Sequence, residues 1–274
     1  MLPNLVVVGA QKCGTSALHY YLSLHPDIEM SRPKELNFFI AERNWPRGRD
    51  WYASHFPTGS RVRGESSPNY TANPYFAGVP GRMHSVLPGA KLIYLVRDPV
   101  ERIMAQYVHN RAVRRRREAS RGWFASGDLA PTIFERGSSY IPRSRYHEQI
   151  QAFLDLYPEE QLLVLAQDDL RDDRAATLRR AFRFLGVDET FEDARYSRLR
   201  HETDSKQRKT RIGTYGPRLP APIWSRLEPR VKLTEEVERP VVDEPLRAEL
   251  TRALKDDIDA FREFTGREFA DWSI

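Results

Sequence analysis

The chain has 274 residues, 40% of them hydrophobic and 30% charged, which is enough to bury a sizeable core as a soluble globular domain. No apolar run approaches the ~20 residues of a membrane-spanning helix, which excludes a chain built of such helices. The net charge of +5 favours anionic ligands without choosing among nucleotides, acidic glycans, nucleic acids and membrane surfaces.

The first predicted element is the apolar run Leu5-Val6-Val7-Val8. No basic segment precedes it and no cleavage site follows, so it reads as a buried strand rather than a signal peptide. It runs straight into Gly9-Ala10-Gln11-Lys12-Cys13-Gly14-Thr15-Ser16. Two glycines at this spacing let the backbone curl with its N–H groups inward. Thr15 and Ser16 then open a helix whose N-terminus favours an anion. The plainer reading is an ordinary strand-to-helix turn, but Lys12 together with Thr15 and Ser16 favours a phosphate loop. In the nucleoside-triphosphate version a lysine follows the second glycine directly. Here Thr15 holds that place and Lys12 lies inside the loop, which fits a single 5′-phosphate carrying a further group. Cys13, the one cysteine, excludes an intrachain disulfide and fits a reducing cytoplasm.

A helix is predicted over Thr15–Leu24, ending before His25-Pro26. Glu35 follows in PKELNFF, ahead of Phe38-Phe39. An apolar wall there would raise its pKa and suit it to general-base work. His19, His25 and His84 are alternative bases. Residues 45–80, rich in Pro, Gly and Asn, read as loops around a cleft. Lys91–Val96 is a second strand, and Arg97 stands at its carboxyl end. Asp98 as N-cap and Pro99 at the first position open a helix to Asn110. Arg97 can grip a phosphate with two donors or pair with Asp98 or Glu101. The basic run Arg111, Arg114, Arg115, Arg116, Arg117 and Arg121 is either a solvated helix extension or an electrostatic guide for an acidic acceptor. Leu162–Ala166 is a third strand. The Gln167-Asp168-Asp169 stretch after it imitates a magnesium site but fits a strand followed by a capped helix. Ala175–Leu185 is helical and stops at Gly186. Residues 195–222 are irregular and basic. Leu246, Leu250, Leu254, Ile258 and Phe261 share one helical face. Strands alternating with helices predict an α/β fold, a central mainly parallel sheet flanked by helices, with ligands at the strands' carboxyl ends. No histidine or cysteine spacing predicts a metal.

GAQKCGTSAL resembles the 5′-phosphosulfate loop of sulfotransferases that use 3′-phosphoadenosine 5′-phosphosulfate (PAPS), above all the sulfotransferase domains of heparan-sulfate enzymes and their bacterial relatives. The likeness continues in order through LHPDI, KELNFF, GESSPNY, YLVRDPVERIMAQY, DDLRDDRAATLRRAFRFLGV, DSKQR and FREFTGREFADW, over almost the whole chain. It implies a P-loop-type fold, one sulfotransferase domain over residues 1–274 and PAPS as donor, with adenosine 3′,5′-bisphosphate as product and no metal. It further implies Glu35 as catalytic base, since the Glu of Glu-x-x-Phe-Phe has that role, and Lys12 as the group that stabilises the departing oxygen. The donor would be held by Lys12, Cys13, Gly14, Thr15, Ser16, Arg97 and the basic loop of Lys206 and Arg208. Lys34, Glu65 and Ser67 would face the acceptor, a hydroxyl of a glycan, glycolipid or natural product, and Arg114 would join them as part of the basic run. Three positions depart from the pattern: Ala105 and Ser66 stand where relatives often carry serine and lysine, and Gln207 replaces a glycine. The heparan-sulfate enzymes usually carry a disulfide near the acceptor cleft, which one cysteine cannot form, so their acceptor does not transfer. A P-loop small-molecule kinase and a non-catalytic polyanion-binding module remain as alternatives.

Overall fold

The structure is a computed structural model that describes residues 1–56, 59–118, 129–197, 207–209, 234–236 and 239–274, with the backbone alone for 112–118, 207–209 and 234–236. Strands β1 (Leu5–Gly9), β2 (Ile28–Met30), β3 (Val62–Ser66), β4 (Lys91–Val96) and β5 (Leu162–Ala166) form a five-stranded sheet in the order β2-β3-β1-β4-β5. Every pairing is parallel. β1 and the last five residues of β4 are fully buried, as expected of apolar strands covered on both faces.

The helices follow the strands. α1 (Thr15–Leu22) leaves β1, α2 (Gly48–Ala53) and α3 (Val79–Val86) flank β3, and α4 (Pro99–Glu118) leaves β4. Next come α5 (Leu129–Phe134), α6 (Tyr146–Leu154), α7 (Gln167–Asp172), α8 (Arg174–Leu185) and the long α9 (Glu244–Thr265). The apolar stripe of α9 is buried from Leu246 to Phe261, and Asp243 caps it by accepting from the Leu246 amide. α8 stops where predicted, with Gly186 left-handed at φ 75°. A short antiparallel pair, β6 (Gln207–Lys209) and β7 (Thr234–Glu236), pairs Arg208 with Glu235 in register, and β6 lies against α4.

Residues 45–80 are not a plain run of loops: β3 runs through them and pairs with both β1 and β2. Gly64 fits there because a Cβ would come within 2.9 Å of Leu5 and Met30 side-chain atoms. Among the described residues no helix is long and apolar enough to cross a membrane.

The chain passes from β1 through β2 and β3 on one side and then crosses to β4 on the other. The order reverses at β1, so the carboxyl ends of β1 and β4 flank the crevice in which an open parallel sheet binds ligands.

Candidate active site

The loop after β1 is shaped by close approach. A Cβ on Gly9 would lie 2.0 Å from Thr71 Oγ1 and 2.8 Å from a Tyr94 ring carbon. The Ala10 amide donates to the Leu95 carbonyl at 2.7 Å, pinning the loop to β4. Lys12 (φ 74°) and Gly14 (φ 91°) take left-handed backbone and turn the chain into α1. The first turn of α1 has no side-chain cap and no acidic residue, which leaves the N–H groups near Thr15 and Ser16 suited to an anion. The Cys13 thiol points inward instead, 3.7 Å from Tyr146 Oη, and burial pushes its pKa up to about 11. The Cys13 amide donates to the Ala10 carbonyl at 3.3 Å, and its buried side chain is turned away from solvent.

Lys34 joins this loop to Glu35. Its Nζ lies 3.5 Å from Thr15 Oγ1 and 2.9 Å from Glu35 Oε1. Lys34 has only a minor place in the sequence reading, yet the structure sets its ammonium between the loop hydroxyl and the candidate base. The apolar wall expected around Glu35 is not formed. Phe38 and Phe39 turn into the core, where Phe38 stacks on Tyr52 at 4.3 Å between centroids and packs beside Trp45. The Glu35 side chain is 42% exposed, open to an acceptor.

Glu65 and Ser67 do not present atoms to an acceptor. Both are fully buried, and both hold the segment after Glu35. Three successive amides are captured by side chains: Leu36 by Glu65 Oε2 at 3.3 Å, Asn37 by Ser67 Oγ at 2.9 Å and Phe38 by Tyr70 Oη at 2.8 Å. The Glu65 carboxylate ties these anchors together by accepting from Ser67 at 2.5 Å and from Tyr70 and Tyr52 at 2.7 Å each. Desolvation raises the Glu65 pKa, and the hydrogen bonds from Ser67, Tyr70 and Tyr52 oppose it. The tyrosine members of this network, Tyr52 and Tyr70, escaped sequence reading. In GESSPNY the signal was available as a hydroxyl-bearing ring five residues after a strand carboxylate, but Tyr52 lies on a separate helix.

Two of the three candidate histidine bases are engaged by hydrogen bonds. His19 Nδ1 lies 2.9 Å from Ser66 Oγ, and burial, then the Lys34 charge, lowers its pKa to about 4. Both His25 nitrogens are engaged by backbone, at Asp27 and Asp188. The His84 ring packs on Tyr157.

Arg97 sits where predicted, at the carboxyl end of β4. Its Nη2 donates to Glu101 at 2.8 Å, so the expected ion pair forms. Its Nη1 is buried without a partner, and that orphan donor fits a phosphate oxygen at the mouth of the β1–β4 crevice. Asp98 is not its partner. Asp98 caps α4 by accepting from the Glu101 amide at 2.8 Å and is held from behind by Ser273. Arg239, far along the chain, also reaches Glu101, which no local pattern announced. Ala105 is buried on α4. Arg208 belongs to β6, beside α4, so its backbone lies near the helix that Arg97 precedes. Lys206 lies outside the described residues. Arg114 lies on α4, and its side chain is outside them too. Asp168, in the stretch that imitates a metal site, pairs with Arg171 at 2.9 Å.

The sulfotransferase domain model matches residues 2–214. The chain belongs to the sulfotransferase domain family. The bifunctional heparan sulfate N-deacetylase/N-sulfotransferase 2 of Bos taurus is 32% identical over 197 residues, covering 68% of this chain and 22% of that protein. The chain therefore spans about a fifth of that relative's length. The membrane-associated sulfotransferase kil1 of Dictyostelium discoideum is 41% identical over 111 residues, 39% of this chain and 22% of its own. Among solved structures, the sulfotransferase from Alicyclobacillus acidocaldarius matches over 100% of both chains at 25% identity, with a TM-score of 0.72.

Proposed function

We propose that this sulfotransferase moves a sulfo group from PAPS to an acceptor hydroxyl, with Glu35 as general base. The observation that carries the reading is the Lys34 ammonium, which lies within 3.5 Å of the Thr15 hydroxyl and 2.9 Å of the Glu35 carboxylate. It brings the base beside the phosphate loop, where a group on a 5′-phosphate meets an acceptor.

The donor supplies an activated sulfo group on its 5′-phosphate. The loop amides and the α1 N-terminus hold that phosphate, and Arg97 offers its unpaired Nη1 to the 3′-phosphate. Lys206 and Arg208, both by resemblance, complete the grip. Glu35 accepts the acceptor's hydroxyl proton as the new S–O bond forms. The S–O bond to the 5′-phosphate breaks in line, and Lys12 meets the charge left on that oxygen. Lys34 orients the Glu35 carboxylate until the acceptor arrives.

The test is transfer of radiolabelled sulfate from PAPS to a panel of hydroxyl acceptors. The panel includes matched amine acceptors, because the mammalian relative is named for N-sulfation. Glu35→Gln is expected to lower kcat by about 10²–10⁴-fold, the usual weight of a general base, with bisphosphate binding kept. Wild-type turnover that survives Glu35→Gln would overturn the assignment of the base.

A further inference from the structure

A row of hydrogen-bonded side chains leads away from the Glu35 segment. Asn37 Nδ2 donates to the Glu35 carbonyl at 3.5 Å, Asn69 Nδ2 to Asn37 Oδ1 at 3.1 Å, and Arg143 Nη1 to Asn69 Oδ1 at 3.1 Å. The row lies over the carboxyl edge of the sheet, since Thr71, two residues past Asn69, donates to the Val8 carbonyl. Asn37, Asn69 and Arg143 each break the surface by only 7–8%.

Arg143 is unlike its neighbour Arg102. Arg102 is fully buried and spends all three nitrogens, on Ser144 at 2.6 Å, Gln106 at 2.7 Å and the Tyr140 carbonyl at 2.6 Å. That is how a guanidinium with a purely structural role is satisfied. Arg143 has one bonded nitrogen, and its Nε is buried without a partner. Among the described residues no carboxylate forms an ion pair with either arginine, so two cations stand close together with neutral partners. Burial first, then the charge of Arg102, with Arg43 adding to it, lowers the Arg143 pKa to about 10, which still leaves it charged at neutral pH. Arg43 is exposed nearby, its guanidinium 4.9 Å over the Phe76 ring. A buried, uncompensated charge is unfavourable unless an anion meets it.

We propose that Arg143, aligned by Asn69, is an acceptor subsite for an anionic oxygen group, a carboxylate or a sulfate ester, carried near the atom that receives the sulfo group. The inference rests on the acceptor-side reading of Glu35, because the Asn37–Asn69 row links Arg143 to the backbone carbonyl of that residue. A guanidinium suits either oxyanion by donating two parallel bonds.

The test is calorimetric binding, with and without adenosine 3′,5′-bisphosphate, of three probes: a glucuronate-containing tetrasaccharide, its methyl ester, and a neutral tetrasaccharide bearing one sulfate ester. Wild type is expected to bind the acid or the sulfated probe at least tenfold more tightly than the ester, and the preferred probe names the group. Arg143→Gln should erase the preference, and Arg143→Lys should keep part of it, with the bisphosphate affinity unchanged in both. Asn69→Ala, a milder change, should reduce the preference if Arg143→Gln fails to fold. Equal binding of all three probes by wild type, or a preference that persists without Arg143, would overturn the subsite. Because binding is read without turnover, an inactive base or an unbound donor would show separately, as failed transfer or failed bisphosphate titration.

Discussion

Tyr70→Phe isolates the network that holds the base segment. The substitution removes one oxygen and nothing else from a ring that is 2% exposed. That oxygen accepts the Phe38 amide at 2.8 Å and donates to Glu65 at 2.7 Å. A buried amide left unpaired costs about 1–3 kcal/mol, and a hydrogen bond to a charged carboxylate is worth about 1.5–3 kcal/mol. The expected loss is therefore about 3–5 kcal/mol, a large part of a typical folding free energy of roughly 5–15 kcal/mol. Tyr52→Phe removes only the bond to Glu65 and should cost about half as much. The assay is urea unfolding of both variants at neutral and acidic pH. Burial raises the Glu65 pKa above its unfolded value, so protonation favours the folded state as pH falls through the raised value toward about 4.3. A neutral carboxyl needs fewer donors, so the Tyr70→Phe deficit should shrink over that window. A deficit under about 1 kcal/mol, or one that grows at acid pH, would refute the account of the network.

Other expectations follow from single contacts. Gly9→Ala places a Cβ 2.0 Å from Thr71 Oγ1; it should destabilise by about 1–3 kcal/mol or more in thermal unfolding, and Thr71→Ala should recover part of the loss. His19, held near pKa 4, should show no titration between about pH 5.5 and 8 in ring-proton NMR spectra. Its folded pKa lies below the unfolded one, so the stability linked to it is present above about pH 6.5 and is lost as pH falls toward 4; a midpoint near the unperturbed value would contradict the buried pairing with Ser66. Lys34→Ala should lower kcat more than it weakens bisphosphate binding, because its closer partner is Glu35; the reverse split would make Lys34 a donor ligand.

The elements legible in the sequence were those with local signals. The apolar runs of β1, β4 and β5, the Asp98 cap with Pro99, and Gly186 after α8 all stand within a residue or two of their predicted bounds. Strand β3 was hidden because VRGES carries charge, glycine and hydroxyl where a central strand usually carries apolar side chains. Its burial depends on Tyr52 and Tyr70, which arrive from other elements to satisfy Glu65. The same holds at the site. The glycine loop and Arg97 could be read from spacing and from a strand end. Glu65 and Ser67 could be noticed but not assigned, since only the fold shows their atoms spent on the backbone of Leu36 and Asn37. The Arg97–Glu101 pair could be read from its i,i+4 spacing, but the second partner of Glu101, Arg239, lies too far along the chain for any motif to link them.

The donor is the centre of the account, and calorimetric titration tests it most directly, with adenosine 3′,5′-bisphosphate beside ATP with magnesium in wild type and Arg97→Ala. One charge-assisted bond from the unpaired Arg97 Nη1, about 1.5–3 kcal/mol, makes a loss of roughly 10- to 100-fold in the variant. The bisphosphate is expected to bind more tightly than ATP with magnesium, and Arg97→Ala to remove this preference. Tighter binding of ATP with magnesium, indifferent to Arg97, would contradict it and favour a kinase.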